Sequence, residues 1–199
     1  MTAPRSVVGS QARAVAIVCM LVTGISGAAS VNVAFALLDI GRSVEALPRG
    51  TPGADFLARV AEIQAQAAKP DRQTRAALLL LLAISMFFTF VCALRVLRPA
   101  GLPREGIRRL LCVAAVVSAV LRTVDGAADA AFALRLARLA TGLLPPGQRS
   151  LPAWVTPTLG LGISISQTVL VAGTLAIIAQ YFRSARVKAW AALGDETPR

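Results

Sequence analysis

Apolar residues in this chain gather into four blocks, at about 14–38, 76–97, 107–129 and 155–182. Each is long enough to cross a bilayer as a helix, which takes roughly 20 apolar residues. Turn formers sit between the blocks: Pro48-Arg49-Gly50-Thr51-Pro52-Gly53, Pro99-Ala100-Gly101-Leu102-Pro103, Pro145-Pro146-Gly147 and Pro152. Two of the intervening stretches keep a helical period. In 54–68, Phe56, Val60, Ile63 and Ala67 share one face; in 130–144, Phe132, Leu136, Leu139 and Leu143 do the same. The pattern predicts an all-α integral membrane protein with a single domain over 1–199. Its expected form is a four-helix transmembrane bundle with short amphipathic helices on the outer side, in segments 39–75 and 130–154.

The first block tests whether a secretory leader is present. Arg5 and Arg13 precede it, and Ser26-Gly27-Ala28 has the small residues of a cleavage site. The apolar run nevertheless continues through Val33, Phe35, Leu37 and Leu38. That is longer than the 7–15 residues of a leader's apolar region, so a retained membrane helix is expected.

Composition agrees with the pattern. Hydrophobic residues make up 56% of the 199 and charged residues only 16%, against about 25% charged in soluble domains. The net charge of +11 is read through its placement. Segments 1–13, 95–109 and 183–199 hold 11 Lys and Arg in 45 residues, whereas 39–75 and 130–154 hold 9 in 62. Basic residues accumulate on the cytoplasmic side, which places both termini there. Arg outnumbers Lys heavily and Ala is abundant, a bias that suggests a GC-rich bacterial genome and hence the bacterial cytoplasmic (inner) membrane. No run of five like charges occurs and basic residues do not alternate with aromatics, so no nucleic-acid partner is expected.

Histidine is absent. This excludes histidine-ligated haem, His-containing zinc sites and catalysis by Ser-His-Asp or Cys-His. Cys19, Cys92 and Cys112 fall near the cytoplasmic ends of the first three spans and read as small apolar filler. Asp125-Gly126 opens like the metal motif of the membrane CDP-alcohol phosphotransferases. The Ala-Arg and the spaced aspartates that should follow are missing, and with them the carboxylates two divalent metals need. No catalytic, cofactor-binding or metal-binding residue is therefore assigned, and the chain is read as not an enzyme.

The distinctive feature is Arg122, Asp125 and Asp129 within the third block. At ~100° per residue, Ser118, Arg122, Asp125, Gly126, Asp129 and Ala133 occupy one stripe about 100° wide. Val113, Val117, Val120 and Val124 occupy the opposite side. The charges are thus expected to point together, away from lipid. Asn32 and Gln167 are candidate members of an intramembrane polar cluster with Arg122, Asp125 and Asp129. Arg72, Arg75 and Asp39 are candidate partners from the outer side. Small-residue pairs, Gly24 with Ala28, Gly160 with Ser164 and Gly162 with Ser166, are expected at close helix contacts. Three roles suit the charges: a structural lock between helices, a helix end entering water, or an ion, proton or ligand site. The functional expectation is a small polytopic protein acting as a non-enzymatic interaction, assembly or signal-reporting subunit. It would partner the lipid bilayer and other membrane proteins or itself. The alternative is an ion- or proton-coupled transport component using the charged stripe.

Overall fold

The computed structural model describes residues 5–45, 50, 52–98, 103–143 and 155–195. The expected turns at 99–102 and 145–152, Trp154, and positions 48, 49 and 51 of the first turn lie outside them. Among the described residues all regular structure is helical. The elements are α1 (Arg5–Glu45), α2 (Pro52–Ala68), a 3₁₀ turn (Lys69–Asp71), α3 (Arg72–Leu97), α4 (Arg104–Leu143), α5 (Val155–Arg183) and α6 (Ala185–Asp195). Four stretches are long and apolar enough to cross a membrane: Val7–Ile40, Gly53–Leu97, Arg104–Ala140 and Gly160–Arg183.

The helices begin and end where the backbone chemistry asks. Gly50 adopts a φ of 112°, open to glycine without strain. Its N–H donates to Asp55 Oδ1 at 3.1 Å, and Asp55 lies in the first turn of α2, where a carboxylate offsets the positive helix end. Pro52 opens α2 at a position that needs no N–H donor. Pro70 then falls in the 3₁₀ turn, whose flanking Ala68 and Arg72 both keep right-handed helical backbone. The chain therefore passes from α2 into α3 without a loop.

Helix α4 runs further than the apolar block. The stretch 130–143, expected as a separate outer segment, is the last part of a single 40-residue helix. The physical reason lies in Gly126-Ala127-Ala128-Asp129-Ala130-Ala131. Alanine is the strongest helix former, and one glycine costs only ~1 kcal/mol against it. Polarity changes there, but nothing interrupts the backbone.

Two compact units divide the chain. The first comprises Met1–Ser30, Leu81–Thr123 and Val169–Arg199. Its core contains Ala16 and Cys19 of α1, Leu82 and Met86 of α3, Leu111 of α4, and Leu175 and Phe182 of α5. Val187 of α6 and half-buried Trp190 close that core. Here Gly24 and Gly27 face Phe90 and Met86; a Cβ on Gly27 would lie 3.3 Å from Met86 Cβ. The second unit comprises Val31–Leu80 and Val124–Thr168, with Ala34, Leu37, Ala68 and Leu79 at its core beside Phe132.

Within the second unit α4 and α5 meet closely at Gly126. A Cβ there would lie 2.8 Å from Thr168 Cβ, inside any tolerable contact. Gly126→Ala should lower stability against thermal unfolding in detergent, by the ~1–3 kcal/mol typical of overpacking. Thr168→Ala in the same chain, which removes the hydroxyl and methyl but keeps the Cβ, should recover only part of that loss.

Candidate functional site

Helix α4 is two-faced. Val113, Val117, Val120 and Val124 are 45–63% exposed, while Ser118 and Asp125 are fully buried. Gly126 on the same inward side is buried as well. One face is thus apolar and outward, the other polar or small and covered.

In the second unit the covered face of α4 meets the start of α3 through charge pairs. Arg75, its side chain 10% exposed, pairs with Asp129. The Arg75 guanidinium carbon also lies 4.8 Å from the centre of the Phe132 ring, a cation–π contact that holds the same group from a second direction. Further along, Arg135 pairs with Asp71, and Asp125 lies within electrostatic reach of Arg75. Asp125, Asp129, Phe132 and Arg135 recur every three or four residues, the spacing of one helix face. The chemistry of this row is cohesive: each cation is set against a carboxylate, an aromatic face or both.

Among the outer candidates, Arg75 is thus the residue brought to Asp129. Arg72 instead donates to the backbone carbonyl of Leu38, tying the start of α3 to α1. Asp39 is exposed, as are Asn32 and Gln167. Arg122 is half-buried in the first unit. The small residues of α5 divide. Gly160 and Ser164 face α4: a Cβ on Gly160 would lie 3.4 Å from Ala133 Cβ, and Ser164 Oγ donates to the Gly126 carbonyl at 3.4 Å. Gly162 and Ser166 are exposed. In α1 Gly24 is half-buried and Ala28 exposed.

The first unit holds two polar clusters that sequence reasoning missed. Ser118 Oγ lies 2.7 Å from Ser85 Oγ and 2.9 Å from Thr89 Oγ1, and Thr89 also donates to the Ser85 carbonyl at 2.8 Å. The i, i+4 hydroxyls of α3 were visible as Ser85 and Thr89, but only the fold brings them to Ser118. The second cluster centres on Arg108, which is 6% exposed. It donates two bonds to Glu105, at 2.7 and 2.6 Å, and one of 2.6 Å to the Phe182 carbonyl in the last turn of α5. Arg109 Nε donates to the same Glu105 at 2.8 Å. A cation at a helix C-terminus satisfies a carbonyl left without an intrahelical partner and meets the negative helix end. Glu105 and Arg108, three apart, formed a signal, but Arg108 reads in sequence as an orienting charge outside the fold.

Other hydroxyls turn back on their own helices. Thr23 donates to Cys19 O at 2.7 Å, Ser30 to Ser26 O at 2.9 Å and Thr168 to Ser164 O at 2.8 Å. Cys19, Cys92 and Cys112 are buried and free. Among the described residues no three His, Cys, Asp or Glu side chains gather as metal ligands. Comparison with family models, with curated proteins and with solved structures gives no match to this chain.

The Arg108 cluster makes a direct prediction. Arg108→Met should cost about 2–3 kcal/mol of stability in detergent, because a buried carbonyl and a carboxylate lose their donor. Glu105→Gln should cost less than half as much, since its side chain is 27% exposed and water replaces the lost charge. Thermal unfolding of the two variants side by side checks the order.

Proposed function

We propose that this chain is a multi-pass protein of the bacterial cytoplasmic membrane, folded as a four-helix transmembrane bundle with both termini in the cytoplasm. Its role on this reading is non-enzymatic: an interaction, assembly or signal-reporting subunit whose partner is another membrane protein or a second copy of itself. The observation that carries the reading is the engagement of the charged row, where Arg75 is held by Asp129 and Phe132, and Arg135 by Asp71. Groups committed to one another in this way brace helices; they are not arranged around an open reaction site.

Exposed apolar residues support the membrane setting. Ile25 and Leu170 are each 71% exposed, Phe87 68% and Val113 63%, one on each of the four stretches of spanning length. Water tolerates such continuous apolar surface poorly; acyl chains match it. Helix α4, at 40 residues, extends about 60 Å at 1.5 Å per residue, twice the ~30 Å hydrocarbon core. Counted from Leu110, Asp129 lies roughly 28 Å along and Arg135 roughly 37 Å, so the charged row follows the outer half of the span into the outer boundary. The exposed Gly162 and Ser166 of α5 offer a partner helix the close approach that association in lipid favours.

A second reading rests on Asp125, a carboxyl with no exposure beside an ion-paired arginine. Intramembrane acids of this kind serve proton or ion coupling. On that reading Asp125→Asn abolishes ion or proton flux in proteoliposomes while the variant still folds.

Three outcomes are expected. The protein stays in the pellet when native membranes are washed with alkaline carbonate, and release into the supernatant would defeat the membrane assignment. Periplasm-dependent reporters fused after Glu45 or Leu143 are active, and fusions at the C-terminus are inactive; the reverse pattern would invert the orientation. Ser166→Cys cross-links to a second copy or one defined partner in native membranes, whereas a monomer without adducts would oppose the subunit role.

A further inference from the structure

Charge is divided unevenly between the two units. The first carries twelve Lys and Arg against three Asp and Glu, the second nine against seven. In the first unit the acids cannot balance the cations. Glu105 is engaged by Arg108 and Arg109, and Asp195 and Glu196 are the remaining two. Arg13, Arg95, Arg98, Arg183, Arg186 and Lys188 are exposed, and they outnumber any acids left to meet them.

The surplus gathers at the end of the unit marked by Trp190 of α6. The Arg104 guanidinium carbon lies 5.5 Å from the centre of the Trp190 ring. A Cβ on Gly9, near the start of α1, would lie 3.2 Å from the indole nitrogen. Arg95 of α3, Ile107 of α4 and Phe182 of α5 line a notch with the same Trp190. Arg183 and Lys188 lie within electrostatic reach of Cys112, as does Arg108. The notch holds about 10 Å³, room for one water, so a ligand lies across this end of the unit and not inside it.

The surroundings select the ligand. Leu94 beside Arg95 and Leu110 beside Arg109 are 39% and 53% exposed, so the cations border directly on outward apolar surface. A soluble acidic segment would meet the charges and leave that apolar border bare. Helix α6 suits the same boundary. Val187 and Ala191 are buried, while the exposed Arg186 and Lys188 lie ~100° to either side of Val187 on the helix. Guanidinium groups match phosphate oxygens through paired N–H donors, and the border adds a demand for hydrocarbon.

We propose that this end of the first unit binds anionic phospholipid. Phosphodiester groups lie against Arg95, Arg183 and Lys188, and acyl chains follow the apolar surface past Leu94 and Leu110. The proposal rests on the membrane-spanning reading above.

The test uses the full-length protein, purified in mild detergent and equilibrated with equal amounts of phosphatidylglycerol, phosphatidylethanolamine and phosphatidylcholine. Bound lipid is counted by native mass spectrometry. All three carry the phosphate, but only phosphatidylglycerol has a net negative charge. It should be retained about five-fold over each of the others, the factor one engaged Lys or Arg supplies. Arg95→Gln with Lys188→Gln should lower that preference to about two-fold or less. Arg59→Gln with Lys69→Gln removes the same charge from exposed positions of the second unit and should leave the preference unchanged. Equal retention of the three lipids, or an equal loss in both double variants, overturns the proposal alone if the protein resists carbonate. Retention of an added oligoglutamate peptide in place of phosphatidylglycerol overturns it in favour of an acidic protein partner. Release by carbonate overturns the membrane reading and the proposal together.

Discussion

An ionised side chain held among apolar helices must meet its counter-charge, and that demand governs how α3 lies against α4. A charge buried without a partner costs several kcal/mol. Arg75 meets Asp129 and the ring of Phe132, and Arg135 meets Asp71. The covered Arg75–Asp129 pair fixes register as well as proximity, and the Arg135–Asp71 pair, with the Asp71 side chain 53% exposed, adds little to it. Sliding α3 past α4 by one turn, ~5.4 Å, would separate both pairs at once. Apolar contacts alone set no such register, because burial of apolar surface is non-directional.

The first unit follows the same logic with milder groups. Ser85, Thr89 and Ser118 join α3 to α4 through hydroxyls, and Arg108 joins α4 to the last turn of α5. Around these contacts the core is filled by residues that specify little, such as Leu82, Leu111 and Leu175. Polar groups therefore choose the neighbours, and small residues set how near they come. Gly27 beside Met86 in the first unit and Gly126 beside Thr168 in the second are such close approaches.

Much of this was legible in the sequence. The four apolar blocks correspond to the four stretches long enough to span a membrane. A simple helical wheel separated the valine face of α4 from the face carrying Ser118 and Asp125, and the valines are indeed outward while those two are buried. Three things were not legible. The run of α4 to Leu143 was hidden because a change of polarity at 130 reports surroundings rather than a break in the backbone. Arg108 was counted among orienting charges, since its acceptor is a backbone carbonyl 74 residues away that leaves no mark in composition. A wheel also says which face is polar but not what that face meets. It therefore could not distinguish Arg75, which reaches Asp129, from Arg72, which turns to a carbonyl of α1.

The central claim is that the charged row on α4 acts as a brace through mutual pairing, and a charge-swap cycle on Arg75 and Asp129 tests it most directly. Unfolding free energy in detergent is measured for the native protein, Arg75→Asp, Asp129→Arg and the double variant. Breaking this partly buried pair by altering one partner should cost about 1–3 kcal/mol. The swapped pair should recover a substantial share of that, giving a coupling well above the ~0.5 kcal/mol at which distant sites merely add. Strictly additive losses in the double variant would contradict the brace.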